Sequence, residues 1–175
     1  MASGIDYTNE EWQASAGHFP LSVRTAEDLL LLHRHWMWAN QQREAFFHLL
    51  EHPSSDALQP GTLMMATREM AFMFVWYGLL WEVVEACINP SEGRNVSVRG
   101  PFRRDIDEMS DLLRRCRNAV LHVPRSGDLL DARIQDLVAE PDSATTLRRI
   151  HRGFGRLFLE EFKRRQCPVP GQTAG

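Results

Sequence analysis

The chain has 175 residues, of which 43% are hydrophobic and 25% are charged. This composition is typical of a soluble globular domain, and the length is sufficient to bury a core without disulfides. Its three cysteines have no metal-ligand spacing, and their odd number argues against a disulfide framework. The acidic N-terminus is unlike a secretory signal, and the longest apolar run has about a dozen residues where a membrane span needs roughly 20. We therefore expect a cytoplasmic protein with no membrane association, metal or cofactor.

The first half of the chain predicts two long helices. Residues 1–24 are expected to form a partly ordered N-terminal segment. Thr25, followed three residues later by Asp28, resembles a capping box, and the stretch from there to about Glu51 contains no Gly or Pro. A second helix is predicted over residues 62–87, where nearly every position is apolar. Because such a helix lacks a polar face, we expect it at the centre of the protein.

The third predicted helix starts near Phe102 and carries a narrow apolar stripe. Apolar residues recur at spacings of three and four, which is the period of one buried helix face. The stripe consists of Phe102, Ile106, Met109, Leu112, Leu113, Cys116 and Val120.

The rest of the chain predicts two more helices and completes the fold class. A short helix is expected over residues 128–140, and Asp142 or Ser143 should cap a last long helix. No strand pattern, internal repeat or low-complexity tract is evident. The expected fold is all-α, an up-and-down bundle of four long helices plus a short additional helix. The bundle should span residues 25–166 and be followed by a flexible tail at 167–175.

The segment RRCRNAVLHVPR, residues 114–125, combines Arg117, Asn118 and His122. It lies in the one clearly basic part of a chain whose net charge is −3. Residues 94–125 contain eight arginines and only four acidic residues. Arginine has a planar fork of donors that suits bidentate recognition of phosphate. The basic segment therefore favours an anionic partner, and a GC-rich genome is the alternative explanation for the excess of arginine, which accounts for nineteen of the twenty basic residues.

The separation of Arg117 and His122 carries little weight by itself. With 19 arginines and seven histidines, chance alone predicts about one such pair, and Arg43 and His48 have the same separation. The later pair differs in its surroundings. Pro124 disfavours helical geometry at the residue before it, so the helix should end near His122. There the negative end of the helix dipole favours a protonated histidine.

Helical geometry also limits how this pair can act. At 100° per residue, Arg117 lies at the edge of the buried stripe and His122 lies nearly opposite it. The two side chains would diverge by roughly 140° on a straight helix. Either the helix end unwinds to bring them together, or two copies of the protein meet there.

These residues resemble the HEPN family of small helical bundles, whose signature is Arg, a polar residue that is often Asn, and then His. The stretch DIDEMSDLLRRCRNAVLH carries the motif. Two others, WYGLLWEVVEAC and RRIHRGFGRLFLEEF, are similar to the central and last helices of one bacterial group. The resemblance implies a metal-independent endoribonuclease used in phage defence or as a toxin. It also implies a homodimer in which two motif copies form one cleft.

The resemblance implies a role for each motif residue, and the chemistry of the side chains agrees. Arg117 would stabilise the charge that develops on the phosphorus, and His122 would act as general base or acid. Asn118 would orient the histidine or the backbone. Either Glu82 or Glu85 would hold the pair in place, and we favour Glu85.

Arg114, Arg115 and Arg125 are the expected RNA-binding residues around the motif. An antitoxin or regulatory protein is a further expected partner, but Pro124 occupies the position where toxins controlled by a nucleotidyltransferase commonly have a modified tyrosine. Two alternatives stay open at this point. In the first, the protein is a non-catalytic, HEPN-like dimeric bundle that binds RNA or a nucleotide or acts as an interaction module. In the second, it is an unrelated helical adaptor whose motif is coincidental.

Overall fold

The fold contains four long helices and a small two-stranded ladder. A computed structural model describes residues 21–23, 25–52, 68–89, 94–96, 98, 100–121 and 141–165. The helices are α1 (Ala26–Glu51), α2 (Arg68–Ile88), α3 (Gly100–Leu121) and α4 (Pro141–Arg164). The strands are β1 (Leu21–Val23) and β2 (Arg94–Val96). The predicted helical bundle is thus confirmed at the level of its long helices. The short helix expected at 128–140, the tail, and residues 1–20 of the N-terminal segment lie outside the described residues.

Helix α1 begins at the cap that the sequence predicts. The Thr25 hydroxyl accepts a hydrogen bond from the backbone N–H of Asp28 at 3.1 Å. The same hydroxyl donates to the Asp28 carboxylate at 3.0 Å. This satisfies one of the N–H groups that a helix start leaves unpaired, and it places acidic Glu27 and Asp28 at the positive end of the helix dipole. The helix then continues to Glu51, as predicted.

Helix α2 packs against α1 on one side and α3 on the other, and α4 packs on both α3 and α1. Its buried side chains include two large aromatic rings, Trp76 and Trp81. Residues Met70–Ile88 are long and apolar enough to cross a membrane, but 61% of this stretch is buried against the other helices. The core helices of soluble proteins can be equally long and apolar. Its packing here is that of a central bundle helix, which is what its uniformly apolar sequence predicts.

The apolar stripe of α3 forms one wall of the core. Six of its seven predicted members are buried, and the side chain of the seventh, Val120, lies outside the described part of the chain. Phe102 contacts Phe154 of α4, with the two ring centroids 5.2 Å apart. Gly153 allows this contact, because a Cβ there would lie 2.5 Å from the Phe102 ring.

The two strands are the main difference from the expected fold. β1 and β2 pair antiparallel, with Leu21 opposite Val96 and Val23 opposite Arg94. Each strand has only three residues, which is too short for an alternating pattern to be recognised in the sequence. The ladder joins the segment before α1 to the connection between α2 and α3.

A buried polar network joins α1, α2 and α4 around His151. The Trp76 indole N–H donates to Nδ1 of His151 at 3.2 Å, and Nε2 of His151 lies 3.1 Å from Oδ1 of Asn40. Because an indole can only donate, Nδ1 must be the unprotonated nitrogen, and Nε2–H then donates to the amide oxygen. The Trp36 indole donates to the His151 carbonyl at 2.9 Å. Burial, followed by the charges of Arg43 and Arg152, lowers the pKa of His151 to about 3, so the ring is neutral.

Candidate functional site

Arg117 lies in the last part of α3, at the edge of the buried face. Its neighbours Leu113 and Cys116 are completely buried, whereas 34% of the Arg117 side chain is exposed. The predicted position at the edge of the stripe is therefore confirmed. Such a position allows the aliphatic part of the side chain to pack on the core while the guanidinium reaches solvent.

Helices α2 and α3 approach each other closely at Arg117. A Cβ atom built on Gly78 of α2 would lie 3.3 Å from the Cα atom of Arg117. This is tighter than ordinary contact between a Cβ atom and a backbone atom, so the absence of a side chain at Gly78 sets the distance between the two helices. The backbone of Arg117 is consequently positioned directly by the central helix.

Two weak polar contacts orient the Arg117 guanidinium. Its Nε donates to Oε1 of Glu82 on α2 at 3.4 Å, and its Nη1 donates to Oδ1 of Asn118 at 3.3 Å. Both distances are longer than the 2.7–2.9 Å typical of strong charge-assisted hydrogen bonds. Within the described part of the chain, Nη2 has no hydrogen-bond partner. The two contacts thus orient the guanidinium without using all of its N–H groups, and the remaining N–H groups can donate to an anion.

Glu82 is the carboxylate that the structure brings to Arg117. The sequence allows Glu82 or Glu85 in this position and favours Glu85. Glu85 lies three residues further along α2, is half-buried, and has no hydrogen bond or ion pair with Arg117 among the described residues. The carboxylate at Arg117 is therefore Glu82. The reason is the register of α2 on α3, because Gly78 and Glu82 are one helical turn apart and both face Arg117. A contact of Glu85 with His122 stays a prediction.

The remaining motif residues are only partly described. The structure places α3 up to Leu121, and His122 and Arg125 lie outside the described residues. Their roles stay predictions.

Arg114 and Arg115, both predicted to bind RNA, share one carboxylate. Arg114 Nη2 and Arg115 Nε each donate to Asp111 at 2.6 Å. Their hydrogen bonds lower the pKa of the Asp111 carboxyl group, which is exposed and thus remains ionised. Both arginines are thus paired with a carboxylate of their own helix in the turn that precedes Arg117.

The other reactive groups near Arg117 are buried among apolar side chains. Burial raises the pKa of the Cys116 thiol to about 12 and raises the pKa of the Tyr77 hydroxyl as well. Neither group ionises near neutral pH, so neither is suited to act as a nucleophile or base. Among the described residues around Arg117, the positively charged side chains able to bind an anion are therefore the arginines themselves.

A second polar site lies between α1 and α4, and it is not evident from the sequence. A pocket of about 390 Å³ is lined by Arg43 and His48 of α1 and by Arg148 and Arg152 of α4. The first two residues are the pair that we treated as a coincidental spacing match. The spacing of Arg148 and Arg152, which places both on one helix face, was the available signal. Which helix they would face was not evident without the tertiary structure.

Comparison with known proteins adds no constraint on the function of either site. No family model matches the chain, and neither do the curated proteins or the solved structures that were compared with it.

Proposed function

We propose that the protein is a metal-independent endoribonuclease of HEPN type that acts in the cytoplasm as a homodimer. The observation that carries the proposal is the partly exposed Arg117 guanidinium, which Glu82 and Asn118 orient in the arginine-rich last part of α3. His122 is the residue directly after Leu121, the last described residue of this helix. Phosphodiester cleavage without a metal needs a donor that stabilises charge on the phosphate and a group that transfers protons, and an arginine and a histidine can supply these two functions.

In the proposed reaction, the substrate supplies its own nucleophile. His122 removes the proton from a ribose 2′-hydroxyl, and the 2′-oxygen forms a bond to the adjacent phosphorus. The bond from phosphorus to the 5′-oxygen breaks, and that oxygen takes up a proton as it leaves. The products are a 2′,3′-cyclic phosphate and a 5′-hydroxyl. Arg117 donates to the non-bridging oxygens, where negative charge increases in the transition state.

A dimer explains how one motif serves both proton transfers. Arg117 and His122 diverge by roughly 140° on a straight helix, so one copy presents them in different directions. When two copies meet at this helix end, the arginine of one protomer and the histidine of its partner can face the same phosphate. One histidine then acts as base and the other as acid.

The ion pair with Glu82 favours a second candidate function. A carboxylate beside Arg117 lowers the net positive charge available to a phosphate. An arginine held in this way also serves in a non-catalytic bundle that binds RNA without cutting it. The two candidates differ in whether RNA is cleaved, and not in whether it binds.

Purified protein incubated with mixed RNA in EDTA tests the proposal. We expect cleavage that persists in EDTA and that falls by at least about 100-fold in Arg117→Ala and in His122→Ala, as after loss of a donor to the transition state. His48→Ala is the matched control, because His48 also follows an arginine by five residues but lies on a different helix. It should cleave like the wild type.

Several results would contradict the enzyme. Binding without cleavage supports the non-catalytic bundle, and cleavage that both variants retain indicates a contaminating nuclease. A strictly monomeric mass in solution would contradict the shared cleft.

A further inference from the structure

The pocket between α1 and α4 concentrates positive charge in a small volume. Three arginines, Arg43, Arg148 and Arg152, line its space of about 390 Å³. This volume is within the range of small-molecule sites in proteins. Burial lowers the pKa of Arg43, and the positive charges of Arg148 and Arg152 lower it further, although Glu44 opposes the shift. The three guanidiniums are thus close enough to repel one another, and an anion bound among them would relieve that repulsion.

Adjacent arginines on α4 have different partners. Arg149 forms a bidentate ion pair with the buried Asp105 of α3, with N–O distances of 2.5 and 2.7 Å. Arg148 instead lies over the Phe47 ring of α1, 4.7 Å from its centroid. Among the described residues, Arg148 has no carboxylate partner. Its donors therefore remain available at the pocket.

Arg43 is held in place before any ligand binds. Its Nε and Nη2 donate to Oδ1 of Asn40 at 3.1 and 3.0 Å. The same oxygen accepts from His151, so Arg43 is attached to the buried network that joins α1, α2 and α4. Nη1 has no hydrogen-bond partner among the described residues. A donor that is fixed in advance loses little side-chain entropy when a ligand binds.

The lining of the pocket favours a compact anion over a flat aromatic ring. The Phe47 ring already has Arg43 and Arg148 over it, at 5.9 and 4.7 Å, and the other ring in the lining is the exposed imidazole of His48. A ligand ring would have to displace these guanidiniums to stack on Phe47. Planar guanidiniums match the oxygens of a phosphoryl group through paired hydrogen bonds.

Two carboxylates, Glu44 and Glu51, also line the pocket and oppose an anion. The Glu44 carboxylate accepts from Nδ2 of Asn40 at 2.8 Å, and 63% of its side chain is exposed. Glu51 is exposed at the end of α1. Both are therefore screened by water more strongly than the half-buried Arg43.

We propose that this pocket binds a phosphorylated small molecule through its phosphate or pyrophosphate group. Arg43, Arg148 and Arg152 are the side chains that bind this group. The site is on α1 and α4 and does not include Arg117 of α3. The proposal does not rest on ribonuclease activity, so either proposal can be wrong while the other is correct.

Calorimetric titration with inorganic pyrophosphate at constant ionic strength tests the site. We expect binding to the wild type and an affinity about tenfold weaker or worse in Arg152→Gln and Arg148→Gln, since each removes a charged hydrogen bond. Arg34→Gln is the matched control. Arg34 is on α1 and lies over the Trp38 ring, away from the pocket lining, so its replacement should leave the affinity unchanged. Glu51→Gln should bind pyrophosphate more tightly than the wild type.

Circular dichroism establishes that each variant is folded, and Arg152 is exposed, so its replacement should not disturb the core. The proposal is wrong if pyrophosphate does not bind, or if Arg34→Gln weakens binding as much as Arg152→Gln does. A short single-stranded RNA provides a further comparison. If it binds more tightly than pyrophosphate and loses affinity in the same two pocket variants, the pocket serves an RNA backbone and the small-molecule assignment is overturned.

Discussion

Mild acid should destabilise the protein through His151, the buried histidine that joins three helices. Its pKa is about 3 in the folded protein, whereas the ordinary value for histidine is 6.5. Between these two values the unfolded chain binds a proton at this position and the folded protein does not. The free energy of unfolding therefore decreases as the pH falls below about 6.5.

The expected magnitude follows from the two pKa values. Between pH 7.5 and pH 5, linkage gives a loss of about 2 kcal/mol from this residue. Domains of ordinary size have about 5–15 kcal/mol of stability in total, so the effect is large enough to measure. Its first cause is the burial of the ring, and the charges of Arg43 and Arg152 add to it. The Trp76 indole, which donates to Nδ1, also leaves no acceptor there for a second proton. A proton added at Nδ1 would place two donors against each other.

Urea denaturation of the wild type and of His151→Gln at the two pH values measures this contribution. The glutamine amide can accept from Trp76 and donate to Asn40, but it does not titrate. We expect the wild type to lose about 2 kcal/mol more than His151→Gln on acidification. His33, whose pKa burial also lowers, is present in both proteins and cancels from the comparison. His52→Gln is the control, because His52 is exposed at the end of α1. On acidification, this variant should lose as much free energy of unfolding as the wild type.

Equal losses in the wild type and in His151→Gln would refute this reasoning. Such a result would mean that the folded protein accommodates the protonated ring.

Further predictions concern packing and thiol reactivity. Gly153→Ala should lower the free energy of unfolding by about 1–3 kcal/mol in urea titrations, because the new methyl group would overlap the buried Phe102 ring. Gly78→Ala should cost less stability, since its closest contact is 3.3 Å, but it should lower the proposed RNA cleavage by moving α3 away from α2. A larger stability loss at Gly78 than at Gly153 would contradict this order. Cys87 and Cys116 are buried with raised pKa values, so a thiol reagent should label them only after unfolding, and rapid labelling of either in the native protein would contradict their burial.

Features that depend on neighbouring residues in the chain were predictable from the sequence. The Thr25 cap, the central position of α2 and the buried stripe of α3 all follow from spacing over one or two helical turns. The position of Arg117 at the edge of that stripe follows from the same periodicity. The sequence could therefore indicate the end of α3 as a candidate site.

Features that depend on how helices meet were not predictable. Glu82 and Glu85 differ by one helical turn, and only the packing of Gly78 against Arg117 distinguishes them. The contact between Trp76 and His151 joins residues 75 positions apart. In the same way, the arginine pocket requires α4 to lie beside α1, and no local pattern specifies that arrangement.

Helix α2 has contacts on two faces that must keep their relative orientation. Trp76 points toward His151 of α4, while Gly78 and Glu82 meet Arg117 of α3. Inserting one residue between Trp76 and Gly78 would rotate one half of the helix by about 100° relative to the other and separate these contacts. Natural variants of this protein should therefore change α2 by substitution and place their insertions and deletions in the connections between helices.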